Sequence, residues 1–311
     1  MFFDAGFWNA MHKSLEMGLL YALMALGVYL TFRILDFPDL TVDGSFTTGG
    51  AIAALCITSG VHPVIGTLLA FVGGAAAGAL TGIIHTKGRI NALLSGILMM
   101  TALYSINLRI MGKANIGLLN QPTVLSPLSG GFTFVIVMGV FALLVKLALD
   151  WFLKTDMGLA LRATGDNARM VRSFGVHTDK TIILGVSLSN GLVALAGALI
   201  AQNQGFADIQ SGVGMIVIGL ASVIIGEAIF GHKTIARATL AVVVGAVLYR
   251  IIFALALQLQ LDSTDLKLLT AVIVIFALTL PMIKRSFNQR SASRARAEQL
   301  AKFGGDQHAS H

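Results

Sequence analysis

Residues 44–86 read GSFTTGGAIAALCITSGVHPVIGTLLAFVGGAAAGALTGIIHT, 43 residues without a formal charge when histidine is neutral. A membrane-crossing helix needs about 20 mostly apolar residues. The stretch therefore has the length of two, with Gly60 to Pro63 as the turn between them. The rest of the chain agrees. Of 311 residues, 56% are hydrophobic and only 12% are charged, with a mean hydropathy of +0.82. Soluble domains carry about 25% charged residues, so the deficit lies in charge, which a bilayer removes first. This composition excludes a disordered chain, a secreted disulfide scaffold and an ordinary cytosolic enzyme. The single cysteine, Cys56, forms neither an internal bridge nor a thiolate metal cage. The expected fold class is all-α, a polytopic membrane protein. Gly74, Gly78 and Gly82 flatten one helix face at four-residue spacing, a signal for close helix contact.

Working outward, further apolar spans are expected at Leu15–Phe32, Ile90–Met111, Gly131–Leu153, Thr181–Gln202, Gly212–Phe230, Ile235–Leu257 and Leu268–Ile283. Met1 to Met11 holds no basic residue, so a cleaved secretory signal is not expected. Basic residues mark the cytoplasmic side. Lys154, Arg162, Arg169, Arg172 and Lys180 fall in one insert, Lys87 and Arg89 in a second loop, Lys233 and Arg237 in a third. The segment after Ile283 carries six basic and two acidic residues. Placing these inside leaves Gln258–Lys267 and Gly112–Gly130 outside and the C-terminus cytoplasmic. The expected division is a transmembrane domain over 1–283, with its cytoplasmic loop at 154–180, and a basic tail over 284–311. No soluble domain is left to read nucleic acid.

The N-terminal third admits two readings. Residues 36–50 read DFPDLTVDGSFTTGG, too polar for a lipid-facing helix. Irregular backbone at membrane depth survives only where protein or water surrounds it. If 44–60 crosses the membrane, there are nine spans and the N-terminus is outside. If it is broken or re-entrant, there are eight spans and the N-terminus is inside; the polarity favours the break. Intramembrane polar groups usually face a cavity or a partner. The candidates for a solute path are Asp39, Asp43, Ser45, Thr47, Ser95 and Asn107, with Thr48, Asn190, Gln202, Asn203 and Glu227 as further polar positions. For each, a structural hydrogen bond between helices is the plainer alternative. Asp39 and Asp43, at i and i+4, repel if both are ionised and unpaired. A basic partner is expected for one, Arg33 or Arg109, and a pairing of Arg250 with Glu227.

Enzyme signatures are missing. Gly226 to Thr234 reads GEAIFGHKT, near a phosphate loop, but His232 is inserted and an apolar helix precedes it instead of a strand. No zinc-protease run or nucleophile elbow occurs. The informative insert is 155–176, TDMGLALRATGDNARMVRSFGV. It reads as two short helices: Gly158 to Ala163, stopped by Gly165, and a second capped by Asp166 and ended in a left-handed turn at Gly175. Met170, Val171 and Phe174 form an apolar stripe beside Arg169 and Arg172. Such a helix either docks a soluble partner or lies on the bilayer surface.

Here the residues resemble a known family. Gly158, Leu161-Arg162-Ala163, Gly165-Asp166-Asn167, Ala168-Arg169 and Gly175-Val176 are similar to the coupling loop of ATP-binding-cassette (ABC) importer permeases of the branched-chain amino acid and ribose permease superfamily. Asp39 to Ser45, Ser189 to Gly197 and Gly219 to Gly231 resemble further segments of it, over about residues 14–283. The Asp39-Leu-Thr-Val-Asp43-Gly44 form, with Leu93 to Ile97, is most similar to a little-characterised subgroup associated with amino-acid-like substrates.

The resemblance implies a dimeric permease in a prokaryotic plasma membrane, served by cytoplasmic ABC ATPase subunits and an extracytoplasmic substrate-binding protein. ATP and Mg would be held by the partner ATPase, with no cofactor in this chain. It implies that Gly158, Arg162, Asp166, Arg169, Met170, Arg172, Phe174 and Gly175 serve ATPase coupling. Met170 and Phe174 would be apolar knobs, the arginines would meet acidic surface and Asp166 would hold the loop shape. The competing reading is a secondary transporter driven by an ion gradient, which also uses broken helices but needs no docking loop.

Overall fold

The computed structural model describes residues 5–128, 131–231 and 233–257, with separate helical positions between 268 and 279. The Leu268–Ile283 span and the 284–311 tail therefore lie largely or wholly outside the described residues. Helix α1 covers Ala5–Tyr29 and continues as a π-helical turn, Leu30–Ile34. Then follow α2 (Thr41–Thr58), α3 (Pro63–Thr86) and α4 (Ala92–Met111). A short strand β1 (Asn115–Gly117) precedes α5 (Phe132–Lys154) and α6 (Asp156–Ser173). After α7 (Thr178–Gln204) come strand β2 (Phe206–Asp208), α8 (Met215–Phe230) and α9 (Ile235–Leu257). The two strands pair antiparallel, Ile116 opposite Ala207, a small departure from the all-α expectation.

Among the described residues, six helices are long and apolar enough to cross a membrane: α1 with its π turn, α3, α4, α5, α7 and α9. Helix α8 is apolar but short. Helix α2 is neither broken nor lipid-facing. It is a continuous helix, and most of its residues are buried, including Gly44 through Ala51. The break falls earlier, at Leu35–Leu40, where Asp36 has φ +52°. Polar residues are tolerated here because neighbouring helices, not lipid, surround them.

Small residues let these helices touch. Among lipids as apolar as leucine, helix association rests on close packing and interhelical hydrogen bonds. A side chain at Gly74, Gly78 or Gly82 would collide with α7, at Asn190, Val186 and Ile183. Gly49 of α2 meets the Ala194 backbone, and Gly197 of α7 meets that of Phe46. Helix α7 is thus the axis, buried from Ser189 through Gln202. Helix α1 is the second axis: Leu20, Leu23, Met24, Leu26 and Leu30 are wholly inaccessible. By contrast Leu68, Val72, Leu94, Leu98, Val140 and Leu144 on α3, α4 and α5 are exposed, the face a bilayer would cover.

The end of α1 fixes which elements share a side. Gly165 of α6 packs on the Ile34 carbonyl, whereas His12 lies edge-on to Phe132, at the start of α5. The N-terminal end of α1 is therefore at the opposite end of the bundle from α6.

Candidate functional site

Two constellations stand out, one inside the bundle and one at the α6 end. The first grows from the polar segment before α2. Asp39 is completely buried. Its Oδ1 accepts from the Thr41 N–H at 2.9 Å, opening α2 with a local turn, and its Oδ2 accepts from Asn190 Nδ2 at 2.6 Å. Thr41 meets Thr81 of α3, hydroxyl to hydroxyl at 2.8 Å. Asp43, one turn on, reaches across to another helix. Its two carboxylate oxygens accept from the N–H groups of Gly214 at 2.9 Å and Ile216 at 2.8 Å. Those are free donors of the first turn of α8, so Asp43 caps α8 from outside and complements its dipole.

The basic partner expected for this pair is corrected: among the described residues neither carboxylate has an ion pair. Hydrogen-bond donors replace the cation. Arg33 instead pairs with Glu227 at 3.0 Å. That displaces the expected Arg250–Glu227 pair, and Arg250 stacks 4.6 Å above the Tyr21 ring.

Beside Asp43 lies a cavity of about 200 Å³, lined by Asp43, Thr47, Asn107, Thr101, Tyr104 and neighbouring backbone and apolar groups. Asn107 donates to the Gly44 carbonyl at 3.2 Å, while its own side-chain carbonyl has no partner among the described residues. Thr47 donates back to the Asp43 carbonyl at 3.3 Å. Of the expected path residues, the structure brings Asp43, Thr47 and Asn107 together. Asp39, Ser45 and Ser95 are buried elsewhere, Ser95 donating to the carbonyl of Asn91, the residue that caps its helix. Gln202 is structural: it donates to Thr67 and accepts from the Val124 N–H. Thr101 and Tyr104 were not among the expected residues. Their signal was present, since Tyr104 and Asn107 stand three apart on one face of α4. Also unforeseen is an ion pair within α5, Lys146 with Asp150, which accepts from Thr239 of α9 at 2.6 Å.

The second constellation is α6. Thr155 caps it, accepting from the Gly158 N–H at 3.3 Å. Gly158 packs on the Phe152 carbonyl, so the helix turns off the end of α5 without room for a side chain. The internal break is at Asn167 (φ −159°, ψ 89°), not at Gly165. Asn167 Oδ1 accepts from the Met170 N–H at 3.0 Å and so caps the second half. The capping role expected of Asp166 therefore belongs to its neighbour. Gly165 is small for a different reason, its contact with Ile34. Gly175, at φ +85°, ends the helix in the left-handed region as expected.

Leu161 and Val171 anchor α6 to the bundle, while Met170 is 53% and Phe174 77% exposed. Met157 and Leu159 extend the exposed apolar surface; alternation along the insert did not mark them. Arg169 is exposed. Arg172 is drawn back to the start of α7, donating to Thr178 Oγ1 at 2.8 Å and lying 3.5 Å from Asp179. Arg162 and Asp166 line a cleft behind α6.

Residues 10–279 match the family described as "Branched-chain amino acid transport system / permease component". A tyrosine transport system permease protein of Clostridioides difficile (strain R20291) is 44% identical over 274 residues, 88% of this chain and 92% of that one. An uncharacterized protein of Rickettsia prowazekii (strain Madrid E) is 35% identical over 277 residues, covering 87% and 97%. The ribose import permease protein RbsC of Escherichia coli (strain K12) is 26% identical over 222 residues, 70% of this chain and 69% of that one.

Proposed function

Since the chain belongs to the branched-chain amino acid and ribose superfamily of ABC permeases, we propose that it is the membrane subunit of an ATP-driven importer for a small amino-acid-like solute. The observation that carries this reading is α6. An anchored helix pair presents Met170 and Phe174 outward, on a segment locked to the ends of α1 and α5. A soluble ATPase that gripped those two side chains would transmit its closure directly to the bundle. The ATP and Mg would be held by that partner, and this chain's share is mechanical.

In this reading the insert faces the cytoplasm, in a prokaryotic plasma membrane. Nine spans follow: α1 to α5, α7, α8, α9 and the segment near 268–283, with the N-terminus outside and the C-terminus inside. Two copies form the path, and an extracytoplasmic binding protein delivers the solute. The cavity at Asp43, Thr47 and Asn107 is the polar wall of that path. The 44% identity to a permease named for tyrosine transport supports an amino-acid-like cargo.

The test is affinity purification of the tagged chain from its native membrane in mild detergent, with mass spectrometry of what accompanies it. A stoichiometric soluble ATPase, lost with Phe174→Asp while the variant still elutes as a folded species, is the expected result. Recovery without any ATPase would refute the reading and favour a gradient-driven carrier.

A further inference from the structure

The cleft behind α6 has a volume of about 630 Å³ and is walled by Arg33, Lys154, Arg162, Lys233, Asp166 and Glu227, with the first turn of α9 at Thr234–Ala236. This is a size in which small-molecule groups bind. Its charges are unbalanced. Arg33 and Glu227 satisfy one another at 3.0 Å. Lys154, Arg162 and Lys233 have no ion pair among the described residues, and Asp166 is the only carboxylate of the wall left to offset them. The end of α5, helix α6 and the residue before α9 thus bring cations to one concavity.

The start of α9 adds a second source of positive potential. The first N–H groups of this 23-residue helix have no acceptor within the helix. Thr234 accepts one of them, from Arg237, and the dipole favours negative charge at this end. Helix N-terminal N–H groups together with a guanidinium and two ammonium groups match the tetrahedral oxygens of phosphate.

We propose that this cleft binds a phosphate-bearing anion, which ties α6 to the end of α1 and the start of α9. The phosphate can come from the headgroup of an anionic phospholipid, since basic pockets between membrane helices take such headgroups, or from a soluble phosphate. The proposal gives Arg162 and Asp166, which the resemblance implied for ATPase coupling, a ligand of this chain, and its test needs no ATPase.

Two measurements on the full chain distinguish the sources. The first is native mass spectrometry after extraction from nanodiscs holding equal phosphatidylglycerol and phosphatidylcholine. The second is thermal unfolding of lipid-stripped protein in inorganic phosphate against chloride at matched ionic strength. Phosphatidylglycerol retained about tenfold over phosphatidylcholine identifies a lipid; a phosphate-specific rise in the unfolding midpoint identifies a soluble anion. Either signal should vanish in Arg162→Gln and in Lys233→Gln, the latter at an exposed position where folding is not at stake. Lys87→Gln, at the same end but outside the cleft, should keep it. Absence of both signals in the wild type, or an equal loss in Lys87→Gln, overturns the proposal.

Discussion

Asp39 is a carboxylate in a nearly lipid-bound bundle, and its stability rests on donors rather than on a counter-ion. Asn190 Nδ2 supplies the shorter of its two contacts, at 2.6 Å. Removing one partner of a buried polar group costs more than the hydrogen bond itself, because the group left behind stays desolvated. Asn190→Ala should therefore destabilise the chain by about 3 kcal/mol, read as the denaturant or thermal midpoint in detergent. A midpoint unchanged from wild type would mean that water, not Asn190, satisfies Asp39. Spacing marked both aspartates as special, yet it assigned one of them a cation. What spacing cannot express is that α7 and α8, more than 140 residues away, bring an amide and a helix terminus to those positions.

At the scale of the element, the glycine row of α3 gives the cleanest forecast. Gly78 touches the Val186 and Asn190 region of α7, while Gly139 of α5 has only Leu19 at 3.9 Å from where a side chain would begin. Gly78→Leu should prise α3 from α7 and abolish recovery of monodisperse protein. Gly139→Ala should leave the elution profile intact. Equal yields from the two would show that the α3–α7 contact is not what holds the bundle. The row was legible in sequence because a four-residue repeat of small residues has one physical use in lipid. The break in α6 was less legible. Gly165 reads as a helix stop, but its smallness serves a contact with Ile34, a residue 131 positions earlier in the chain, and the cap passes to Asn167.

For the whole molecule, the importer reading sets a stoichiometry. The permease should purify with two copies per two ATPase subunits, measured as the mass of the intact detergent-extracted complex. A single copy beside a different permease would replace the homodimer with a heterodimer. The cavity at Asp43, Thr47 and Asn107 would then be completed by a different surface. Opening at that cavity also bears on α8, since Asp43 both lines it and caps the helix.

The sequence by itself determined the solvent: a charge deficit and runs of uncharged residues admit only a bilayer, and helices follow because lipid offers backbone groups no other partner. It also determined the amphipathic insert and the residues Met170 and Phe174, since those rest on local periodicity. Tertiary structure alone decided that 44–58 is a buried continuous helix, that Asp43 caps α8, that Arg33 and not Arg250 meets Glu227, and that three cations share one cleft. The contacts of Asp43 with α8 and of Arg33 with Glu227, and the approach of Lys233 to Arg162, join residues far apart in the chain. A polar residue's partner in a low-dielectric interior is set by which helix packs beside it, and that is fixed by contacts between residues far apart in the chain.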